Sequence, residues 1–262
     1  MPRPGPPRPP LRSCEPGPFD IIGDVHGCHA ELVTLLARLG YRPEGDAFLH
    51  LEGRRAVFLG DLPNRGPSTV AVLRTVAAMV RRGSALYTPG NHCLKLRRVL
   101  ARDGSHPKGA TLTTLEELDA LPPAERGAAV GEFLGLCDSA PPYLILDGGG
   151  LVVAHAGIEA RMIGKADEET LRFVREGEVT GRTPEGRPIR RDWARAYRGE
   201  ALVVYGHTPR PRAEFVNNTV NIDQGCVYGG SLTALRYPER EIVSVHSLRA
   251  WWPRAAGRSA GS

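Results

Sequence analysis

The stretch that decides how this chain is organised is Gly60-Asp61-Leu62-Pro63-Asn64-Arg65-Gly66-Pro67, GDLPNRGP, which directly follows an apolar run at residues 56–59. A plain turn needs only the glycine and proline residues of this stretch. Asp61 and Arg65 need another explanation, because a buried charged group is costly unless it has a partner. The sequence therefore predicts a buried strand that ends in a loop with a chemical role.

The same pattern, a short apolar run followed at once by a polar loop that contains glycine, occurs five times. The runs and loops are FDII–GDVHG (19–27), AVFL–GDLPNRG (56–66), ALYT–PGNHC (85–93), LVVA–HAGI (151–158) and LVVY–GHTP (202–209). Continuous apolar runs of about four residues are typical of strands that are buried on both faces.

Helical periodicity follows two of these loops and recurs later in the chain. One apolar face comprises Leu32, Leu35, Leu36 and Leu39 before Gly40, and another comprises Val70, Leu73, Val76, Ala77 and Val80 before Gly83. Residues 111–139 predict two further short helices interrupted by Pro122–Pro123, and short strands are predicted near 214–222, 231–236 and 241–246. We therefore predict an α/β fold with mixed sheets.

The two ends of the chain differ in composition from its middle. Residues 1–18 hold eight prolines, and residues 253–262 are polar, so we predict a disordered Pro/Arg-rich arm and a disordered tail. The residues between them, 19–252, are predicted to form one domain. Most of the formal charge of +5 lies in the arm and the tail, which leaves about +1 for the domain. An extended nucleic-acid track is therefore not favoured, although one short end is possible.

Cysteine usage and hydropathy indicate a cytoplasmic protein without a membrane partner, and the excess of Arg over Lys, 31 to 3, indicates a bacterial genome. The five cysteines are odd in number and widely spaced, with no CxxC motif, which fits a reducing compartment. No apolar run approaches the ~18–20 residues that span a bilayer. The N-terminal residues lack the apolar centre of a signal peptide.

The five loops place an acid, an amide or an imidazole directly after a strand. These residues are Asp24, His26, Asp61, Asn91, His92, His155 and His207. Because loops at the carboxyl ends of neighbouring strands meet at one edge of an α/β fold, we expect one shared site. Carboxylate, imidazole and amide ligands without a thiolate suit first-row divalent ions such as Mn, Fe, Co, Ni or Zn.

This set is larger than one catalytic ion needs, since such an ion keeps a position open for water or substrate. Two ions ~3.5–4 Å apart that share a bridging Asp use the set fully and generate hydroxide for attack at phosphorus. Asp61 is the predicted bridge. Arg65 then binds phosphate oxygens through its guanidinium fork, and His92 protonates the leaving oxygen.

Other designs for phosphate or acyl chemistry have no motif in this sequence. It contains no GxxxxGK[ST] loop, no GxGxxG after a strand and no GxSxG elbow. The glycines at 148–150 predict a hairpin turn. Cys28 and Cys93 are predicted to be small buried residues and not nucleophiles.

Over roughly residues 19–247, the chain resembles the calcineurin-like metallophosphoesterases of the phosphoprotein-phosphatase branch. The motifs that carry this resemblance are, in order, GDVHG, GDLPNRG, GNH, HAG and GHT. Four longer segments are similar to the PrpE-type bis(5′-nucleosyl)-tetraphosphatases, which hydrolyse diadenosine tetraphosphate asymmetrically. These segments are PGNHCLKL, RRDWARAYRG, VVYGHTP and NTVNIDQGCVYGGSLTALRYPE. They are also similar to the phosphatase domain of bacterial polynucleotide kinase-phosphatases. Cys93 after GNH, and a chain without a kinase or ligase domain, favour the first group.

The resemblance implies two mixed β-sheets packed as a sandwich with flanking helices, and an enzyme that forms ATP and AMP from diadenosine tetraphosphate. It implies that Asp24, His26 and Asp61 hold one metal ion, that Asp61, Asn91, His155 and His207 hold a second, that Arg65 contacts phosphate and that His92 is the general acid. Four residues carry weaker expectations: Asp223 near the pocket, Arg190 and Arg191 as phosphate contacts or a solvated helix start, and Tyr228 stacked on a base.

The chain departs from the resembled pattern GDxxDRG at Asn64, where the family has an Asp that orients the catalytic His and stabilises its protonated form. The amide oxygen of Asn64 can accept a hydrogen bond from His92, but it brings no negative charge. The reversed amide favours the wrong tautomer, and in serine proteases an Asp-to-Asn change of this kind lowers the rate about 10⁴-fold. We therefore expect reduced turnover, a general-acid limb at lower pH, and intact metal binding.

Three functions remain open from the sequence. The first is hydrolysis of diadenosine tetraphosphate. The second is a broader phosphatase or phosphodiesterase activity on nucleic-acid ends, cyclic nucleotides or phosphoproteins. The third is a sensor that binds nucleotide or metal at a weakened site, and it is the least favoured because every expected ligand, Arg65 and His92 are present.

Overall fold

The computed structural model describes residues 9–101, 106–184, 186 and 188–252. The strands in this part of the chain are β1 (Leu11–Arg12), β2 (Phe19–Ile22), β3 (Tyr41–Glu44), β4 (Ala47–His50), β5 (Arg55–Phe58), β6 (Ala85–Tyr87), β7 (Leu144–Leu146), β8 (Leu151–Val153), β9 (Val179–Arg182), β10 (Pro188–Arg190), β11 (Leu202–Tyr205), β12 (Phe215–Val216), β13 (Thr219–Asn221), β14 (Asp223–Gln224), β15 (Ser231–Tyr237) and β16 (Glu241–His246). The α-helices are α1 (His29–Leu39), α2 (Thr69–Arg81), α3 (Asn91–Leu100), α4 (Thr111–Asp119), α5 (Pro123–Ser139) and α6 (Glu168–Glu176). Short 3₁₀ helices cover Asp147–Gly149, Ala160–Met162 and Trp193–Ala196.

Two six-stranded mixed sheets form the centre of the molecule. One has the order β1-β7-β8-β11-β13-β12, and the other has the order β14-β15-β2-β5-β6 with β16 also paired to β15. Strands β2, β5 and β6 run parallel to one another, as do β8, β11 and β13. Two small hairpins, β3–β4 and β9–β10, lie outside these sheets.

The two sheets pack face to face, and the apolar runs explain why. Phe19 and Ile21 of β2 belong to a buried cluster shared with Leu151 and Val153 of β8, between the sheets. Ile22, the next residue of β2, faces the opposite way into a second cluster with the helices. Both faces of the strand are therefore buried, which favours apolar residues at successive positions, and the one charged residue of β2, Asp20, is paired with Arg54. The predicted sandwich of two mixed sheets with flanking helices is confirmed.

Helices α1 and α2 lie where the leucine and valine periodicity places them. Leu32, Leu35, Leu36 and Leu39 of α1 are buried, and Gly40 ends this helix in the left-handed region with a φ of 99°. Glycine accepts this conformation without steric cost, so it is the favoured residue at such an end. Residues 111–139 contain two helices, as predicted, but the second is long, at 17 residues.

Sequence periodicity missed two helices for different reasons. Helix α3 buries only Cys93 and Leu96, so it has too few apolar positions to show a period. Helix α6 was missed although it has a start signal that does not depend on periodicity: the carboxylate of Asp167 accepts a hydrogen bond from the backbone N–H of Thr170. In the described residues, no helix combines the length and the apolar character that crossing a membrane requires.

The predicted disordered arm is wrong for its second half. Leu11–Arg12 forms β1, which pairs in parallel with β7 at the edge of the first sheet. Ser13 extends this pairing through a hydrogen bond to the carbonyl of Ile145. An unpaired sheet edge offers backbone donors and acceptors to any extended segment, and a proline-rich segment is already extended. Residues 1–8 and 253–262, also predicted to be disordered, lie outside the described residues.

Candidate metal centre

The five strand-end loops come together at one edge of the sandwich. Three of them follow β2, β5 and β6 of one sheet, and two follow β8 and β11 of the other. Three residues of these loops, His26, Asp61 and His207, have positive φ angles of 44°, 42° and 70°. L-residues adopt such angles at a cost that other contacts must offset, and they cluster at functional sites. The sharp bends turn the polar side chains toward a common centre.

Asp61 lies at the middle of this centre. Its Oδ2 is 3.6 Å from Nε2 of His26 and 3.4 Å from Nε2 of His155. Its Oδ1 accepts a hydrogen bond of 2.8 Å from the backbone N–H of His92. The exposed fraction of Asp61 is 2%. Asp61 belongs to two groups of potential metal ligands, one on each side.

The two groups have similar composition. One consists of His26, Asp61 and His92, and the other of Asp61, His155 and His207, each with ligand atoms within 4.8 Å of one another. Oδ1 of Asn91 lies 3.2 Å from Nε2 of His155, so Asn91 borders the second group. All seven residues predicted for this site are brought together. Asp24 lies next to His207, since Oδ1 of Asp24 accepts a hydrogen bond of 3.2 Å from the backbone N–H of His207.

Backbone carbonyl groups set the tautomers of two histidines. Nδ1 of His26 donates to the carbonyl of Pro63 at 2.9 Å, and Nδ1 of His155 donates to the carbonyl of Leu59 at 3.1 Å. In the neutral form of each ring, Nε2 therefore keeps its lone pair and faces the centre. This is the arrangement that orients an imidazole to bind a metal ion.

The charges of this region fit a bound cation. Asp24, Asp61 and Asp223 are all nearly completely buried, and Oδ2 of Asp24 has no hydrogen-bond partner in the described residues. Burial, and next the carboxylate of Asp223, raise the pKa of Asp24 well above its usual value. Burial lowers the pKa of His155, but Asp61 and Asp24 outweigh burial and raise this pKa to about 9. Clustered buried carboxylates with an unpartnered oxygen are what a divalent ion stabilises.

Arg65 lies across the first group of ligands. Its Nη1 is 2.7 Å from Nε2 of His26, and its Nη2 is 2.8 Å from Nε2 of His92. The guanidinium carbon also lies 5.4 Å from the ring centre of Tyr228, within the range of a cation–π contact. Tyr228, predicted to stack on a base, is thus beside the centre and packs on Arg65.

Asn64 contacts the ring of His92, as the resemblance implied. The amide nitrogen of Asn64 is 3.0 Å from Nδ1 of His92, and the amide oxygen accepts a hydrogen bond of 2.8 Å from Oγ1 of Thr114. Arg65 already donates to Nε2, so the neutral ring carries its proton on Nδ1 and needs an acceptor there. A half-turn of the amide presents Oδ1 to Nδ1–H and turns the amide nitrogen toward Thr114, which satisfies every group.

Sequence reasoning predicted helix α4 but missed that it holds this loop. Asn64 and Arg65 have φ angles of 76° and 74°. The backbone N–H of Asn64 donates to Oγ1 of Thr114 at 3.1 Å, and that of Arg65 donates to Oγ1 of Thr113 at 2.9 Å. These threonines are about 50 residues away in α4, and a TT pair inside a helix carries no signal of such a role. They fix the loop in a conformation that asparagine and arginine rarely adopt.

Arg190, Arg191 and Asp223 occupy different environments. Arg191 forms ion pairs with Glu159 and Glu178, which compensate the charge of its guanidinium. Arg190 ends β10 and lines a cavity together with His207. Asp223 lies beside Asp24, and burial raises its pKa to about 6. The structure therefore favours Arg190 over Arg191 as a residue facing a ligand.

Four of the five cysteines are buried, and Cys14 is exposed. Cys28 and Cys93 are fully buried, and burial raises the pKa of the Cys93 thiol to about 12, which opposes a nucleophilic role. All five cysteines are free thiols. A third buried group, Cys28, Glu31 and Cys226, also has closely spaced ligand atoms.

Comparison with known proteins agrees with this geometry. The family model described as "Calcineurin-like phosphoesterase" matches residues 17–237. The chain is 50% identical over 230 residues to the asymmetrical bis(5′-nucleosyl)-tetraphosphatase PrpE of Bacillus velezensis, covering 87% of this chain and 92% of that protein. It is 49% identical over 230 residues to the protein of the same name from Bacillus subtilis strain 168, covering 87% and 94% of the two chains. A crystal structure described, as a provisional assignment, as a diadenosine tetraphosphatase superposes with a TM-score of 0.65 at 24% identity, covering 92% of this chain and 99% of that one.

Proposed function

This chain belongs to the calcineurin-like phosphoesterase family, and we propose that it is a metal-dependent hydrolase that cleaves diadenosine tetraphosphate asymmetrically. In this reaction one water molecule is consumed, one phosphoanhydride bond breaks, and ATP and AMP are released. The position of Asp61 between two groups of histidine ligands carries the proposal, because it gives this chain a place for two adjacent cations.

The ligands divide between the two sides of Asp61. Asp24 and His26 would hold one ion, and Asn91, His155 and His207 would hold the other, with Asp61 shared. Two divalent ions held there would supply Lewis-acid polarisation of the phosphoryl group and activation of the attacking water. The donor set suits Mn, Ni, Co or Fe.

The chain's own residues bind the phosphoryl group and move the proton. Arg65 presents two Nη groups toward the centre, which matches bidentate binding of phosphate oxygens. His92 donates a proton to the leaving oxygen, and Asn64 holds its ring through Nδ1. Arg190 and Tyr228 border this region, so phosphate contact and packing against Arg65 are their proposed roles.

The named relatives support the choice of a dinucleotide substrate. Both are described as asymmetrical tetraphosphatases and are about half identical to this chain over most of its length. Asn64 favours one alternative, a sensor with a weakened site, since an amide cannot stabilise the imidazolium form of His92 as a carboxylate would. The reduced cysteines fit the cytoplasmic location that we propose.

The test is phosphate-ester hydrolysis by metal-free protein resupplied separately with Mn²⁺, Co²⁺, Ni²⁺ or Mg²⁺. Diadenosine tetraphosphate, a 2′,3′-cyclic nucleotide and a phosphopeptide are offered in parallel, and Asp61→Asn serves as the inactive control. Metal-dependent formation of ATP and AMP in a 1:1 ratio supports the proposal. Turnover of only the cyclic nucleotide or the phosphopeptide rejects the proposed substrate. Metal binding without turnover of any substrate favours the sensor.

A further inference from the structure

A cavity of about 230 Å³ opens next to the candidate metal centre. His207 belongs to both, because it lines the cavity and its Nδ1 lies 3.0 Å from Nε2 of His155. The other walls come from the loop after β11, from the hairpin of β9 and β10, and from the 3₁₀ helix Trp193–Ala196. One extended ligand therefore has room to lie at the metal centre and in this cavity together.

The cavity is cationic because of two arginines. Arg190 and Arg210 both line it, and neither forms an ion pair with a carboxylate in the described part of the chain. The Nε of Arg190 donates to the carbonyl of Glu176 at 2.9 Å, which fixes the direction of its guanidinium. Unpaired guanidinium groups that share a concave wall attract phosphate.

The other two charged residues of the wall are already compensated. Arg191 is paired with Glu159 and Glu178, and the carboxylate of Asp192 is 3.0 Å from Nε of Arg195. Neither residue therefore changes the positive sign of the net charge on the cavity wall. The charge available to a ligand is that of Arg190 and Arg210.

The backbone that carries Arg210 is tied to the metal centre. The N–H of Arg210 donates to the carbonyl of Asp223 at 2.9 Å, and the side-chain amide of Asn221 donates to the carbonyl of Thr208 at 3.0 Å. The N–H of His207 donates to Asp24 at 3.2 Å. The cavity and the centre therefore keep a defined spacing, which a rigid polyphosphate site needs.

The size of the cavity indicates which part of a ligand it takes. Pockets that enclose a whole drug-sized ligand measure about 300–1,000 Å³, and this one is smaller. Trp193 is almost completely buried, so its ring face is not free to stack on a base. Phosphate groups, which are small and anionic, match both the volume and the charge.

On the basis of the function proposed above, we infer that this cavity binds the phosphate groups of the substrate beyond the reacting one, and that Arg210 makes this a polyphosphate-selective site. A short monoester places its one phosphate at the metal centre and does not reach Arg210. The selectivity for a long phosphate chain then arises from Arg210 and not from the metal ligands.

The experiment compares Arg210→Ala and Arg210→Lys with Arg212→Ala, an exposed arginine two positions along the chain that does not line the cavity. The KM values for diadenosine tetraphosphate and for p-nitrophenyl phosphate are measured on the metal-loaded full chain. The Kd of inorganic tripolyphosphate is measured by titration calorimetry. For Arg210→Ala we expect the KM for diadenosine tetraphosphate, divided by the KM for p-nitrophenyl phosphate, to rise about tenfold, and the Kd of tripolyphosphate to rise by a similar factor. Arg210→Lys should rescue most of both effects.

The outcomes separate this inference from the proposed function. If Arg210→Ala matches Arg212→Ala in both the KM ratio and the Kd, the polyphosphate site is rejected. If the wild type does not cleave diadenosine tetraphosphate, the proposed substrate is rejected, and the Kd of tripolyphosphate still decides whether Arg210 binds a phosphate chain. Chelation of the metal ions by tripolyphosphate affects every variant equally and cancels in the comparison.

Discussion

At the scale of single residues, the contact between Asn64 and His92 is the feature that most affects the expected rate. Burial lowers the pKa of His92 to about 4, against the opposing effect of Asp61, and Arg65 lowers it further. Near neutral pH only a small fraction of His92 is then protonated. An amide at position 64 accepts or donates a hydrogen bond, but it does not add the negative charge that would raise this pKa.

Asn64→Asp should therefore raise turnover near neutral pH by about tenfold or more, because a carboxylate beside Nδ1 stabilises the imidazolium form. A higher pKa of His92 moves the limb that requires protonated His92 to higher pH. The measurement is the pH–rate profile of both forms, together with metal stoichiometry, which should not change. Identical profiles would show that position 64 does not tune His92.

At the scale of loops and helices, the metal centre depends on a close approach between two loops. A Cβ atom added to Gly90 would lie 2.1 Å from Oδ1 of Asp61 and 2.6 Å from its backbone nitrogen. Glycine is required at position 90 by this contact alone, since its φ of −87° is open to any residue. The loops after β5 and β6 therefore reach their spacing only without a side chain there.

Gly90→Ala should lower metal-dependent turnover by about 10²-fold or more, because a displacement of about 1 Å at a reacting centre has an effect of this size. The displaced carboxylate of Asp61 should also lower the metal content. Both quantities are measured on purified protein, kcat/KM with a fixed metal supply and metal per chain by elemental analysis. Wild-type values of both would contradict the close approach.

The matched control is a glycine to alanine change in helix α5. Gly127, Gly131 and Gly135 lie four residues apart on an exposed face, and an added Cβ would meet nothing within 4 Å at any of them. Gly131→Ala should stabilise the fold by about 0.5–1 kcal/mol, since alanine loses less backbone entropy in a helix. Urea denaturation measures this change, and activity should stay at the wild-type level. A lower midpoint would show that the face of α5 is not free.

At the scale of the whole molecule, the metal centre joins the two sheets. Its proposed ligands follow β2, β5 and β6 on one side and β8 and β11 on the other. At the opposite end of β2, Arg54 pairs with the buried Asp20 at 2.9 Å and with Glu239 at 2.8 Å. These ion pairs join β2 to the segments before β5 and after β15 within one sheet, while the apolar cluster packs the two sheets against each other.

Removal of the metal ions should lower the melting temperature. An ion supplied at about 100 times its Kd stabilises the folded state by about 2.7 kcal/mol, which corresponds to about 5–10 °C for a chain of this size. Thermal unfolding with and without a chelator measures the difference, and Asp61→Asn should show a much smaller one. Equal melting temperatures for the wild type under both conditions would show that no ion is bound in the folded state.

Local patterns in the sequence determined much of this molecule. Continuous apolar runs encode strands buried on two faces, and leucine and valine spacing encodes α1 and α2. The Asp, Asn and His residues after these runs were predictable as one centre, because the ends of parallel strands meet at one edge. These features depend on neighbours within a few residues, which a single sequence displays directly.

Tertiary structure alone decided the remaining features. The pairing of Leu11–Arg12 with β7, the support of Asn64 and Arg65 by Thr113 and Thr114, and the cavity of Arg190 and Arg210 join segments far apart in the chain. Arg190 and Arg191 are adjacent and chemically identical and line the same cavity, yet Arg191 pairs with two carboxylates, and Arg190 pairs with none in the described residues. Which partner a side chain finds is set by how distant elements pack, and hydrophobic periodicity carries no record of that choice.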